Sequence, residues 1–99
     1  MLSPAAAETV SSNVSLTFTG TGVSWITAEG PSYGRAKVVI DGVARGVVDL
    51  YRSRQSWQHA VSFSGLKAGR HSITVSPLGA KRSASTSTNV VFEAFVVHG

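Results

Sequence analysis

The segment YRSRQSWQH, residues 51 to 59, gathers Tyr51, Arg52, Arg54, Gln55, Trp57, Gln58 and His59 within a single short stretch. Planar guanidinium and amide groups can bond vicinal hydroxyls or a carboxylate in bidentate fashion, and an indole can stack on an apolar ring face. The same residues would also suit a solvated connection with Trp57 folded inward, and the sequence leaves both outcomes open. Upstream, SWITAEGPSYGR sets Trp25 just before a turn-forming run and Tyr33 inside it, between Pro31 and Gly34. From a turn, Tyr33 could stack on a pyranose while its hydroxyl bonds a sugar OH, or it could pack against a neighbouring loop. Trp25 shares parity with Val23 and is either a core residue or a stacking platform. The candidate ligand-contacting set is therefore Tyr33, Trp57, Arg52, Arg54, Gln55 and Trp25.

Other chemistries find less support. The three histidines, His59, His71 and His98, have no paired metal-ligand spacing, and the five carboxylates are dispersed as Glu8, Glu29, Asp41, Asp49 and Glu93. With no cysteine, a disulfide framework, a thiolate nucleophile and a Cys-based metal site are all excluded. Serines accompany His and Asp without a nucleophile elbow. No cofactor is expected and, for lack of a catalytic constellation, the chain is not expected to be an enzyme. Nine Lys and Arg against five Asp and Glu give a formal +4, but the basic residues are scattered along the sequence, so nucleic acid is not expected as a partner.

The elements that must position these groups are strands. In NVSLTFT, Val14, Leu16 and Phe18 alternate with Ser15, Thr17 and Thr19, the period of a half-buried strand. GVSWIT resumes after a Gly-Thr-Gly break that implies a bulge or sharp bend. RAKVVIDGVARGVVDLY has Asp41-Gly42 between apolar runs, a strong hairpin signal. WQHAVSFSGL and HSITVSPLG read as a further pair joined by GLKAG, with Leu66 tucked back onto the core. NVVFEAFVV, apolar on both faces, reads as a strand in the middle of a sheet. KRSASTSTN, residues 81 to 89, reads as a solvated connection. About seven short strands with regular turn signals imply an all-β antiparallel sandwich or barrel with Leu16, Phe18, Val38, Ile40, Leu50, Phe63, Ile73, Val75 and Phe92 in its core. Ninety-nine residues make one domain, drawn over residues 13–99, with residues 1–12 a flexible arm or linker remnant. The opening MLSPAAAETV lacks the basic and apolar regions of a signal peptide, and no segment approaches the roughly 20 apolar residues of a membrane-spanning helix.

Taken in order, LTFTGTGVSWI, GPSYGRAKVVIDG, VVDLY, GLKAGRHSITV and VVFEAFVV resemble the jelly-roll, galactose-binding-like accessory domains of secreted bacterial glycoside hydrolases, peptidases and surface proteins. The resemblance spans Ser15 to Val97 and implies a jelly-roll-like sandwich, a secreted or cell-surface location, and a non-catalytic carbohydrate-binding or adhesion module whose partner is a polysaccharide or glycan. A structural or assembly domain of a secreted multidomain protein or virion surface is the alternative. Two departures stand out. Where the family's last strand commonly carries Asp, a structural calcium ligand in related modules, this chain has Glu93, so a structural calcium stays open without a motif to support it. The family also has further strands before VSLTFTG; without them an open edge would favour a homo-oligomer, unless residues 1–12 fold back and pair through ETV.

Overall fold

A computed structural model describes residues 8–99. The first seven residues of the expected arm lie outside the described residues. The strands are β1 (Glu8–Thr9), β2 (Val14–Gly20), β3 (Gly22–Glu29), β4 (Arg35–Ile40), β5 (Val43–Asp49), β6 (Ser56–Phe63), β7 (Gly69–Pro77), β8 (Val91–Phe92) and β9 (Ala94–His98). Seven are five residues or longer, and β1 and β8 have two residues each. One antiparallel sheet has the order β2-β7-β4-β5, a second β6-β3-β9, and β1 pairs with β8. The fold is an all-β sandwich, as the alternation implied, and no helix among the described residues is long and apolar enough to cross a membrane.

The core draws on both sheets: Phe18 from β2, Ile73 and Val75 from β7 and Ala36, Val38 and Ile40 from β4 meet Val23 and Trp25 from β3. Of the expected core residues, Leu16, Phe63 and Phe92 are only partly buried but pack on this cluster. Asp41 and Gly42 have φ of 53° and 78°, both positive as a tight hairpin turn between β4 and β5 requires.

Two expectations need correction. The segments joined by GLKAG do not pair with each other: β6 adds to β3 and β7 adds to β2 and β4, so that connection crosses between sheets. Period-two patterning marks a strand but does not name its neighbour. NVVFEAFVV is not a central strand. It breaks at Glu93 into β8 and β9, and β9 lies at a sheet edge with Val96 and Val97 each 41% exposed. The strand covered on both faces is β3, which lies between β6 and β9; its Ser24 hydroxyl is shared with Ser62 Oγ at 2.8 Å and His98 Nε2 at 2.9 Å. The Ser/Thr-rich segment is a mostly exposed connection, as expected, and is tied down at Ser85 and Thr86. The Ser85 hydroxyl is buried and donates to the Tyr33 carbonyl at 2.7 Å, and Thr86 N donates to Pro31 O at 2.9 Å.

At the opposite end of the sandwich from that segment, His71 links three pieces of chain. Its Nδ1 lies 2.5 Å from Asp41 Oδ2 in the β4–β5 turn, and its Nε2 lies 2.5 Å from the Lys67 carbonyl in the β6–β7 connection. Both partners are acceptors, so both ring nitrogens must donate, which only the imidazolium does. Asp41 also accepts from Ser72 N at 2.8 Å. The hydrogen bond to Asp41 raises the His71 pKa above its ordinary 6.5, and the same bond lowers that of Asp41 below 3.8. The contribution of His71 is complete below 6.5 and is lost as pH rises through the raised folded value; that of Asp41 is present above 3.8 and is lost as pH falls through the lowered one. The melting-temperature gap between the wild type and Asp41→Asn is therefore expected to be widest in mildly acidic buffer and to shrink above neutrality. A gap that stays constant from about pH 5 to about pH 9 would remove the imidazolium from the account.

Candidate functional site

The site forms where β3 ends, β4 begins, β5 ends and β6 begins. Gly30 anchors the β5–β6 connection: its N–H donates to Leu50 O at 3.1 Å, and Arg52 N donates to Gly30 O at 3.1 Å. This brings Arg52 over the end of β3, where its Nη2 sits 3.2 Å from Glu29 Oε2 and His59 Nε2 sits 3.5 Å from the same oxygen. Arg52 Nη1 also donates to Tyr51 O at 2.5 Å, which holds the guanidinium against its own connection. Gln55 Nε2 donates to the Tyr33 hydroxyl at 2.9 Å. A side chain at position 30 would have its Cβ 2.5 Å from Gln55 Oε1 and 3.1 Å from Tyr33 Cε1, so Gln55 would have to swing aside to admit it.

Trp57 follows on β6 and is 47% exposed. Ser56 lies opposite Glu29 and His59 opposite Thr27, so Trp57 and Gln58 together oppose the single residue Ala28, and Gln58 has φ of 55°. This is a β-bulge, a device that re-aims side chains next to binding sites. Arg54 is exposed beside it.

The structure brings five of the six candidates together and sets Trp25 apart in the core. Arg52, Gln55 and Tyr33 are joined through Glu29 and Gly30, with Arg54 and Trp57 on the same length of chain. Trp25 is fully buried and Tyr33 is 4% exposed. Neither has a ring face to offer a ligand; Tyr33 contributes through the hydroxyl that Gln55 bonds. Their parity and turn position left this open, because which face of β3 is covered, and what lies over the turn, depends on the β2-β7-β4-β5 sheet and on the 81–89 segment.

Glu29 and His59 were absent from the candidates. Glu29 stands one residue before Gly30-Pro31, and nothing local shows that Arg52 closes on it. Next to this cluster, Asp49 accepts from Arg82 Nε at 3.1 Å and lies 3.7 Å from Arg35 Nε, while the Arg82 guanidinium lies over the Tyr51 ring. Hydrogen bonds from Tyr51 N and Arg82, together with the charges of Arg82 and Arg35, outweigh partial burial, which alone acts first in the other direction, and hold the Asp49 carboxyl below its ordinary range. Glu93 has both carboxylate oxygens buried without a protein hydrogen-bond partner. Among the described residues no group of three His, Asp or Glu is placed to hold a metal ion.

No family model matches the chain. A curated relative, the A type blood N-acetyl-alpha-D-galactosamine deacetylase of Flavonifractor plautii, is 32% identical over 66 residues, which are 67% of this chain and 8% of that protein. In fold, the chain is similar to a family two carbohydrate esterase from Clostridium thermocellum solved in complex with cellohexaose, with a TM-score of 0.55, 22% identity, and coverage of 91% of this chain and 26% of that one. An active-site mutant of a family two carbohydrate esterase from the same organism gives a TM-score of 0.56, with 22% identity over 91% of this chain and 25% of that one. The chain thus spans under a tenth of the curated relative and about a quarter of each esterase.

These comparisons correct the expectation that the chain is not an enzyme. The proteins it resembles, in sequence and in fold, are named as carbohydrate deacetylases and esterases, so its relationships are to enzyme polypeptides. That expectation rested on a missing catalytic constellation, which is uninformative for a chain matched to a small part of much longer proteins.

Proposed function

We propose that the chain is a carbohydrate-binding domain of a secreted or cell-surface carbohydrate-active enzyme of the deacetylase or esterase kind, with a jelly-roll, galactose-binding-like sandwich over residues 13–99. The observation that carries this reading is the half-exposed Trp57 on a bulged edge strand beside Arg54, Gln55 and the Arg52–Glu29–His59 cluster. The indole supplies a stacking face, and the polar groups, held in place by Gly30 and Glu29, supply hydroxyl contacts at little ordering cost. The relative named as a galactosamine deacetylase and the esterase solved with cellohexaose support carbohydrate as the partner. Trp57→Ala is expected to abolish retardation in polysaccharide-containing native gels while leaving the melting temperature within about 2 °C, since an exposed side chain contributes little to the core. Absence of retardation of the wild type by every neutral and acidic glycan tried would refute the reading.

A second reading is assembly through a sheet edge. β9 carries Val96 and Val97, exposed on opposite faces, and one row of its backbone groups has no strand partner among the described residues. A second copy could cover it. Of the alternative closures, Glu8–Thr9 pair with Phe92–Val91 and Val10 N donates to Val90 O at 2.8 Å, so the ETV segment occupies the end of the sandwich rather than the β9 edge. Molar mass by light scattering separates this reading from a monomeric binding domain.

A further inference from the structure

The basic residues that look scattered in the sequence are gathered by the fold. Arg35 opens β4 opposite Asp49, Arg52 and Arg54 lie in the β5–β6 connection, and Lys81 and Arg82 lie in the segment after β7, all at the end of the sandwich where β3 finishes. Five of the chain's nine Lys and Arg therefore converge on the end that carries the carboxylates of Glu29 and Asp49. Glu29 is bonded by Arg52 and approached by His59, and Asp49 is bonded by Arg82 with Arg35 nearby. The cations exceed these acceptors. Lys81 Nζ is left with the Ser85 carbonyl at 2.9 Å, and among the described residues Arg54, three positions from Trp57, makes no hydrogen bond or ion pair.

Resting on the carbohydrate-binding reading, we infer that this end of the molecule takes carboxylate-bearing polysaccharides, chains of uronic acid, in preference to neutral ones. A neutral sugar uses the stacking face of Trp57 and leaves the surplus guanidinium and ammonium groups with water. A uronate adds a planar carboxylate that matches the guanidinium fork of Arg54 and draws on the field of Lys81 and Arg82. The Glu29 and Asp49 pairs serve a second purpose, since they hold Arg52, Arg35 and Arg82 in position rather than leaving five flexible cations to be ordered on binding.

The test is native gel electrophoresis in polygalacturonate, in its fully methyl-esterified form, which keeps the backbone but masks the charge, and in dextran sulfate. The double variant Arg54→Gln/Lys81→Gln is compared with Lys67→Gln/Arg70→Gln, which removes the same charge from the opposite end. Polygalacturonate is expected to retard the wild type more strongly than the methyl ester does, and the Arg54/Lys81 variant is expected to bind about tenfold more weakly while the Lys67/Arg70 variant stays within about twofold of the wild type. Equal losses in the two variants would reduce the effect to general charge attraction and overturn the inference, as would retardation by dextran sulfate without polygalacturonate. Equal retardation by polygalacturonate and its ester, with Trp57 still required, would overturn the inference and leave the carbohydrate-binding reading standing. No retardation in any of these gels would overturn the inference, and the wider glycan series then decides the carbohydrate-binding reading.

Discussion

Trp25→Ala is expected to destabilise the fold by about 3–5 kcal/mol, the range for removing a large aromatic from a packed core. Trp25 is fully buried on β3, the one strand covered on both faces, between Val61 of β6 and Phe95 of β9 in register. The remaining sandwich collapses poorly onto the cavity, because β3 itself is held by backbone ladders to β6 on one side and β9 on the other. For a domain of this size each kcal/mol shifts the melting temperature by about 4–8 °C, so the variant would be largely unfolded at physiological temperature if the wild type lies at the low end of ordinary stabilities. Trp25→Phe is expected to cost less than about half as much. It keeps most of the apolar volume, and the indole N–H it removes has no protein hydrogen-bond partner. Thermal denaturation of the two variants side by side checks this; equal losses would mean that the indole N–H, not the ring volume, carries the position.

The second large effect is expected at Gly34. A Cβ there would come within 2.7 Å of the Ala80 carbonyl oxygen, 2.7 Å of Thr88 Cα and 2.8 Å of the Thr88 carbonyl carbon, all backbone atoms. The same residue donates its N–H to Asn89 O at 2.8 Å and accepts from Leu50 N at 3.0 Å. No side-chain rotation relieves such contacts, so Gly34→Ala must push the 81–89 segment away from the 30–34 turn. Overpacking of this kind costs about 1–3 kcal/mol, and backbone on two sides puts this position at the upper end. The displaced segment would expose the amides of Thr86 and Asn89, which donate to Pro31 O and Ser32 O. Faster hydrogen exchange at those two amides, with little change in the β2–β7 ladder, is the expected signature. Exchange rates like those of the wild type would show that the segment accommodates the methyl group. The experiment also bears on binding, because Lys81 and Arg82 are carried by the segment that would move.

The sandwich was legible because alternation acts over short stretches. A strand with one covered face must repeat every second residue, and Val14-Leu16-Phe18 and Ala36-Val38-Ile40 do so whatever lies opposite them. Asp41-Gly42 was equally local, since a tight hairpin needs two positive φ values in sequence. What only the tertiary structure decided is which strand lies beside which. By composition NVVFEAFVV looked the most buried, yet β9 became an edge and β3 the covered strand, because coverage depends on neighbours supplied by distant chain. The candidate site divides along the same line. The residue types of 51–59 were visible as a collection, and Trp57 is exposed as a ligand platform must be. That Trp25 and Tyr33 lie buried, that Glu29 holds Arg52, and that five scattered cations share one end all come from contacts between residues far apart in sequence. Side-chain chemistry is written in the sequence, whereas the electrostatic field of a surface is a sum over residues that only folding brings together.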